Sequence, residues 1–94
     1  MAMRRRVRPA SRLLKAMSNE RRLLILCHLM QGEKPVSELE KLIGISQSAL
    51  SQHLARLRRD ELVKTRRSAQ QIFYSLSGKE ASAIIRVLDK IFVR

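Results

Sequence analysis

On either side of the tripeptide "GIS" at residues 44–46, apolar residues recur at helical spacing, and a break that short forces the two segments to pack against each other. Before it, "VSELEKLIG" turns Leu39, Leu42 and Ile43 to one face. Ser37 and Glu40 form an S-x-x-E capping box at its start, and Gly44 ends it. After it, Ser46 is placed to cap "QSALSQHLARLRR", whose Leu50, Leu54 and Leu57 make a second stripe. Two short amphipathic helices joined by so tight a turn predict a helix-turn-helix.

The flanking segments fit around this unit. "SRLLKAM" predicts a short helix ending near Met17, and Ser18 or Asn19 can cap a second helix through "ERRLLILCHLM", closed by Gly32. From Leu23 to Leu26 that helix is apolar all round, which predicts burial. "LVKTRR" and "QIFYSL" favour strands through Val63, Thr65, Ile72, Phe73 and Tyr74, joined near Ser68 to Gln71 without the usual Gly or Asn. Ser77 and Glu80 offer another capping box, ahead of a stripe of Ala81, Ile84, Ile85, Leu88, Ile91 and Phe92 on a last helix. Residues 1–10 carry four Arg that repel one another, and Pro9 disfavours helix before it, so they read as a flexible basic arm. Residues 11–94 read as one domain. The expected fold is mainly α with a β-hairpin wing: four helices, two strands and a fifth helix, a winged helix-turn-helix.

A chain of 94 residues hides only about 60% or slightly more of its unfolded surface, so its core is thin. Leu13, Leu14 and Met17 on the first helix, with Ile84, Ile85, Leu88, Ile91 and Phe92 on the last, exceed what that core can cover. They are the expected homodimer interface. Lys and Arg number 20 against 8 Asp and Glu, a net charge of +12. Removing the five Arg of residues 1–12 still leaves 15 cations against 8 carboxylates, so the domain itself is basic. That balance favours a polyanionic partner. No apolar run approaches the roughly 20 residues that span a bilayer, and "MAMRRRVRPAS" has no apolar stretch following its charges, so a cytoplasmic protein is expected. One cysteine, Cys27, excludes an intrachain disulfide or zinc-finger framework within these residues.

With Leu50, Leu54 and Leu57 anchored, Gln47, Ser48, Ser51 and Gln52 lie on the outer face near the start of the second helix of the pair. That end enters the major groove in helix-turn-helix proteins. Gln pairs with an adenine edge through both amide atoms, and Ser bonds to a base or a phosphate. Arg56, Arg58 and Arg59 on later turns, with Lys64, Arg66 and Arg67 on the hairpin, are candidates to neutralise phosphates. Double-stranded DNA is therefore the expected partner. The same polar face could instead be merely solvated, Arg56 and Arg58 could be solvated or ion-paired, and the same charge could serve a nonspecific architectural protein or a winged helix contacting an acidic protein. An enzyme is not expected: the two His fall on separate helices, Cys27 sits in an apolar run, and no Gly-rich phosphate loop or cofactor motif is present.

"LLKAMSNERRLLIL", "VSELEKLIGISQSALSQHLARLRRDELV" and "RRSAQQIFYSL" together resemble the ArsR/SmtB-type winged-helix repressors over nearly all of residues 12–93. The "SQSALSQHLARLR" form and the glycine-free "SAQQIFY" wing are similar to the HlyU/BigR/NolR branch. The resemblance implies a homodimeric bacterial repressor on an inverted repeat, with first and last helices at the dimer interface. It also implies an inducer or chemical signal, specified by no residue here, that releases DNA. By position it puts recognition on Gln47, Ser48, Ser51, Gln52 and His53, and wing contacts on Arg66, Arg67 and Gln70. No metal site is expected: "VSELEKLIG" lacks the cysteine-rich motif of metal-sensing members, and the last helix has Glu80 and Asp89 but no His. Cys27 and His28 project about 100° apart and do not converge on one ion. Cys27 coincides with the first of two cysteines in thiol-sensing members, but their partner's position reads "KIFVR" here. A small core side chain is the favoured role for it and a redox thiol the alternative.

Overall fold

The computed structural model describes residues 2–93. Its elements are α1 (Ala2–Met17), α2 (Glu20–Leu29), β1 (Lys34–Pro35), α3 (Val36–Ile43), α4 (Gln47–Arg59), β2 (Val63–Ser68), β3 (Gln71–Leu76) and α5 (Glu80–Phe92). Helices α3 and α4 pack as the helix-turn-helix, and β2 and β3 form the wing. The sheet has three antiparallel strands in the order β1, β3, β2, with Val63 opposite Leu76, Ser68 opposite Gln71, and Lys34 opposite Tyr74.

One apolar cluster joins these layers. Leu50, Leu54 and Leu57 of α4 meet Leu39 and Ile43 of α3, Ile25, Leu26 and Leu29 of α2, and Ala81 and Ile85 of α5. Leu62 and Val63 close it where the wing begins. Helix α4 keeps its direction at both ends for local reasons. The Ser46 hydroxyl accepts the Ala49 N–H at 3.2 Å. At the other end the Leu62 N–H reaches the Leu57 carbonyl at 2.9 Å and the Glu61 N–H reaches the Arg58 carbonyl at 3.0 Å. This is a Schellman closure, with Glu61 at φ 62° in the left-handed position that glycine usually takes.

Several expectations are corrected. The segment expected as a flexible arm is helical from Ala2, with Pro9 inside α1. The proline removes one intrahelical hydrogen bond, at the Arg5 carbonyl, and residues 3–10 are all exposed, so water can replace the missing donor. Neither expected capping box forms. Pro35, extended because β1 pairs with β3, is itself the N-cap of α3, which leaves Ser37 inside the helix. Helix α5 starts at Glu80, whose carboxylate accepts the Lys79 N–H at 3.0 Å, while the Ser77 N–H is drawn to the Leu62 carbonyl at 2.9 Å. Leu24 and Leu42, expected inside, are exposed. Helix α2 buries only one side, Ile25, Leu26 and Leu29, and α3 only Leu39 and Ile43.

Candidate nucleic-acid interface

Successive residues of α4 turn by about 100°, so burial of Leu50, Leu54 and Leu57 assigns every other side chain on it a direction. Ser48, Gln52 and Arg59 lie opposite that stripe and are exposed. Gln47, Ser51 and Arg58 form the flank toward the wing. They line a cleft of about 680 Å³ whose other walls are Pro35, Val36 and Glu40 on one side and Gln70, Ile72 and Tyr74 of the hairpin on the other. The four polar residues expected to read bases are thus together on one accessible surface, with Gln70 across the cleft at the tip of the wing.

His53 and Arg56 take the other flank, toward α2 and α1. His53 is half-buried. Partial burial lowers its pKa, and the charges of Arg22 and Arg21 on α2 lower it further, so the imidazole is neutral near pH 7. Arg56 Nε donates to Asp60 Oδ2 at 2.9 Å, and Arg12 Nε of α1 donates to Asp60 Oδ1 at 3.2 Å. The Arg56 bond, above all, pulls the Asp60 carboxyl below the usual carboxylate range, with burial opposing and Arg12 assisting. Arg56 therefore ties α4 to α1 through Asp60.

Arg58, Arg59, Lys64 and Arg67 are exposed and have no ion-pair partner among the described residues. Arg66 is different. Its Nε and Nη2 donate to Glu33 Oε2 and Oε1, both at 2.8 Å, and its guanidinium lies 4.6 Å from the centre of the Phe73 ring. Glu33 has no place in the sequence reading, since its partner lies 33 positions away and Glu33 itself stands in no motif. Tyr74, by sequence a strand former, lines the cleft beside α4.

The remaining candidates are spread elsewhere. Met17 and Ile85, expected at a dimer interface, are 5% and 8% exposed and belong to the core of the chain. Leu13, Ile84 and Leu88 are half-buried, while Leu14, Ile91 and Phe92 are exposed. Cys27, favoured as a core side chain, is exposed instead, in a cleft with Met30, the C-cap of α2, and Ile85, Arg86, Asp89 and Lys90 of α5. Partial burial of the sulfur and, less strongly, the charge of Asp89 push the thiol pKa up. Among the described residues no three His, Cys, Asp or Glu side chains converge as a metal site would require.

Residues 19–65, from the cap of α2 into β2, match the family described as "Bacterial regulatory protein, arsR family". The transcriptional activator HlyU of Vibrio cholerae is 58% identical over 80 residues, spanning 85% of this chain and 74% of that protein. The nodulation protein NolR of Rhizobium meliloti is 48% identical over 83 residues, 88% of this chain and 68% of that one. The structure of reduced HlyU from Vibrio cholerae superposes with a TM-score of 0.92 at 52% identity, covering 99% of this chain and 98% of that chain. The repressor BigR from Xylella fastidiosa gives a TM-score of 0.94 at 42% identity, covering 99% and 95%. Wing, helix-turn-helix and sequence agree, and the chain belongs to the arsR family of bacterial regulatory proteins as a DNA-binding winged helix-turn-helix transcriptional regulator.

Proposed function

We propose that the protein is a homodimeric repressor that binds an inverted-repeat operator, α4 of each subunit entering the major groove and the wing lying over the flanking backbone. One observation carries this reading: Gln47, Ser48, Ser51 and Gln52 share the accessible face of α4, bordered by the unpaired cations Arg58, Arg59 and Arg67. The glutamines and serines read base edges. The arginines neutralise phosphates. His53 and Arg56, turned toward α2 and α1, support the helix from behind. Repression has named precedents in two relatives, the biofilm growth-associated repressors of Xylella fastidiosa and Agrobacterium fabrum, while HlyU is named an activator. DNA as partner assigns the action to the cytoplasm, and no helix among the described residues is long and apolar enough to cross a membrane.

Footprinting on genomic fragments tests the reading, with protection expected over two half-sites. Gln47→Ala is expected to relax preference at one base position per half-site, at about 1–3 kcal/mol for each lost bidentate pair. Arg67→Ala is expected to weaken all duplexes alike and to reduce the salt slope. Equal loss on cognate and random duplexes in Gln47→Ala would remove its base-reading role, and uniform protection of any sequence would make the protein a nonspecific binder.

A further inference from the structure

We propose that Arg66 is a positioning residue: held by Glu33 across the sheet, it fixes the angle of the wing to the helix-turn-helix and is not a phosphate contact. The inference rests on the DNA-binding reading but turns on how the wing is held. Strand β1 offers β3 only Lys34 and Pro35, opposite Tyr74 and Phe73 midway along the hairpin, and proline has no N–H to donate, so beyond the root at Val63 and Leu76 the backbone ladder that ties the wing to the domain is weak. The outer strand β2 is joined to β3 over six residue pairs but to nothing else in the sheet. Left to these ladders, the hairpin can rock about its root.

The Glu33–Arg66 pair spans that weak point. Glu33 immediately precedes β1, Arg66 sits on β2, and Phe73 of the central strand lies opposite Arg66 and beneath its guanidinium, 4.6 Å from ring centre to the charge. A bidentate bridge constrains both distance and plane, and the ring below removes the remaining freedom. The bridge also settles the charge balance. Glu33 is drawn below the usual carboxylate range, above all by its hydrogen bond to Arg66, and Arg66 is raised by the same bond. A phosphate approaching Arg66 therefore meets the carboxylate as well, and the net attraction is small. The free cations of the wing are Lys64 and Arg67.

Two measurements on the intact protein decide the matter, using Glu33→Gln, Arg66→Ala and Arg66→Lys. The first is amide hydrogen exchange without DNA. Several-fold faster exchange in residues 64–75, with α4 unchanged, is expected in all three variants, because lysine reproduces neither the bidentate geometry nor the stacking. The second is salt-dependent binding to a duplex recovered by selection with the wild-type protein. Affinity is expected to fall several-fold in all three with the salt slope unaltered, and hydroxyl-radical protection under the wing to weaken while protection under α4 persists. A phosphate contact gives the opposite pattern: Glu33→Gln tightens binding, Arg66→Lys restores it, and Arg66→Ala reduces the slope by about one. That pattern, or unchanged wing exchange, would overturn the inference. Failure to recover any duplex would sink the DNA reading alone, and the exchange measurement would still decide the role of the bridge.

Discussion

His53 stands on α4, yet its environment is set by α2 behind it, and this has a pH signature. Burial and the charges of Arg22 and Arg21 lower its pKa from 6.5, so between the lowered value and 6.5 the unfolded chain binds a proton that the folded chain does not. Stability from this residue is complete above that window and is lost as pH falls through it. The thermal midpoint is expected to drop on acidification from pH 7, and His53→Gln to flatten the slope; the same slope in the variant would assign it to another group. Asp60 acts separately. Its lowered pKa contributes stability above 3.8 that disappears only as pH falls toward its folded value. Cys27 shows the limit of reading neighbours in sequence: Leu and Met surround it along the chain, but helical rotation brings it to the surface beside α5. Access without thiolate character makes a slow nucleophile. Alkylation at neutral pH is expected to be slow and to accelerate with rising pH, and Asp89→Asn to speed it by removing a negative charge that disfavours the thiolate. Rapid alkylation of the wild type near pH 6, or peroxide-sensitive DNA binding lost in Cys27→Ser, would instead make Cys27 a sensor.

Helices were legible where apolar spacing carried them except at the start of α1, where four Arg and Pro9 outweighed the spacing of Met3, Val7 and Leu14, and caps were legible only where no tertiary contact competed. Asn19 caps α2 through the Arg22 N–H at 3.0 Å, Ser46 caps α4, and Gly44, at φ 73°, ends α3, each a decision made within a few residues. Ser37 and Ser77 carry the same local pattern and fail because the sheet intervenes: β1 holds Pro35 extended up to the first turn of α3, and Leu62 holds Ser77. The strand β1 itself was unreadable, since two residues cannot display an alternation and its extension comes from pairing with β3. The contrast between serines is measurable. Ser46→Ala is expected to lower stability by about 1 kcal/mol, within a range of roughly 0.5–2, through loss of the cap. Ser37→Ala, inside a helix and without a capping bond, is expected to be neutral or slightly stabilising, because alanine is the better helix former. Equal losses in urea titrations of the two variants would mean that Ser37 carries a role its position in α3 does not reveal.

For the molecule as a whole, the sequence located the polar face of α4 because its helix buries a clear stripe, but it gave no warning that Arg66 is already paired. Its partner, Glu33, is set by how the wing folds back, whereas Arg56 meets Asp60 four positions on at the end of the same helix, and only Arg12 comes to that carboxylate from α1. The same folding leaves an apolar surface uncovered. Leu14 of α1 is 54% exposed, and Ile91 and Phe92 of α5 are 62% and 73% exposed, while Met3 and Val7 extend the stripe of Leu14 along α1 at spacings of four and seven. Met17 and Ile85 are consumed by the core, so a partner would meet Leu14, Ile91 and Phe92 first. A twofold pair buries the same patch on both subunits and sets its two recognition helices about 34 Å apart, one turn of DNA. Sedimentation is expected to give a dimer at micromolar concentration without DNA, and Leu14→Glu with Phe92→Glu to give a folded monomer. Because the second half-site is engaged within one complex, loss of the dimer is expected to weaken operator binding by about 10²- to 10⁴-fold while leaving affinity for an isolated half-site unchanged. A double variant that sediments as a monomer yet binds the full operator as tightly as wild type would show that dimerisation is not what couples the two half-sites.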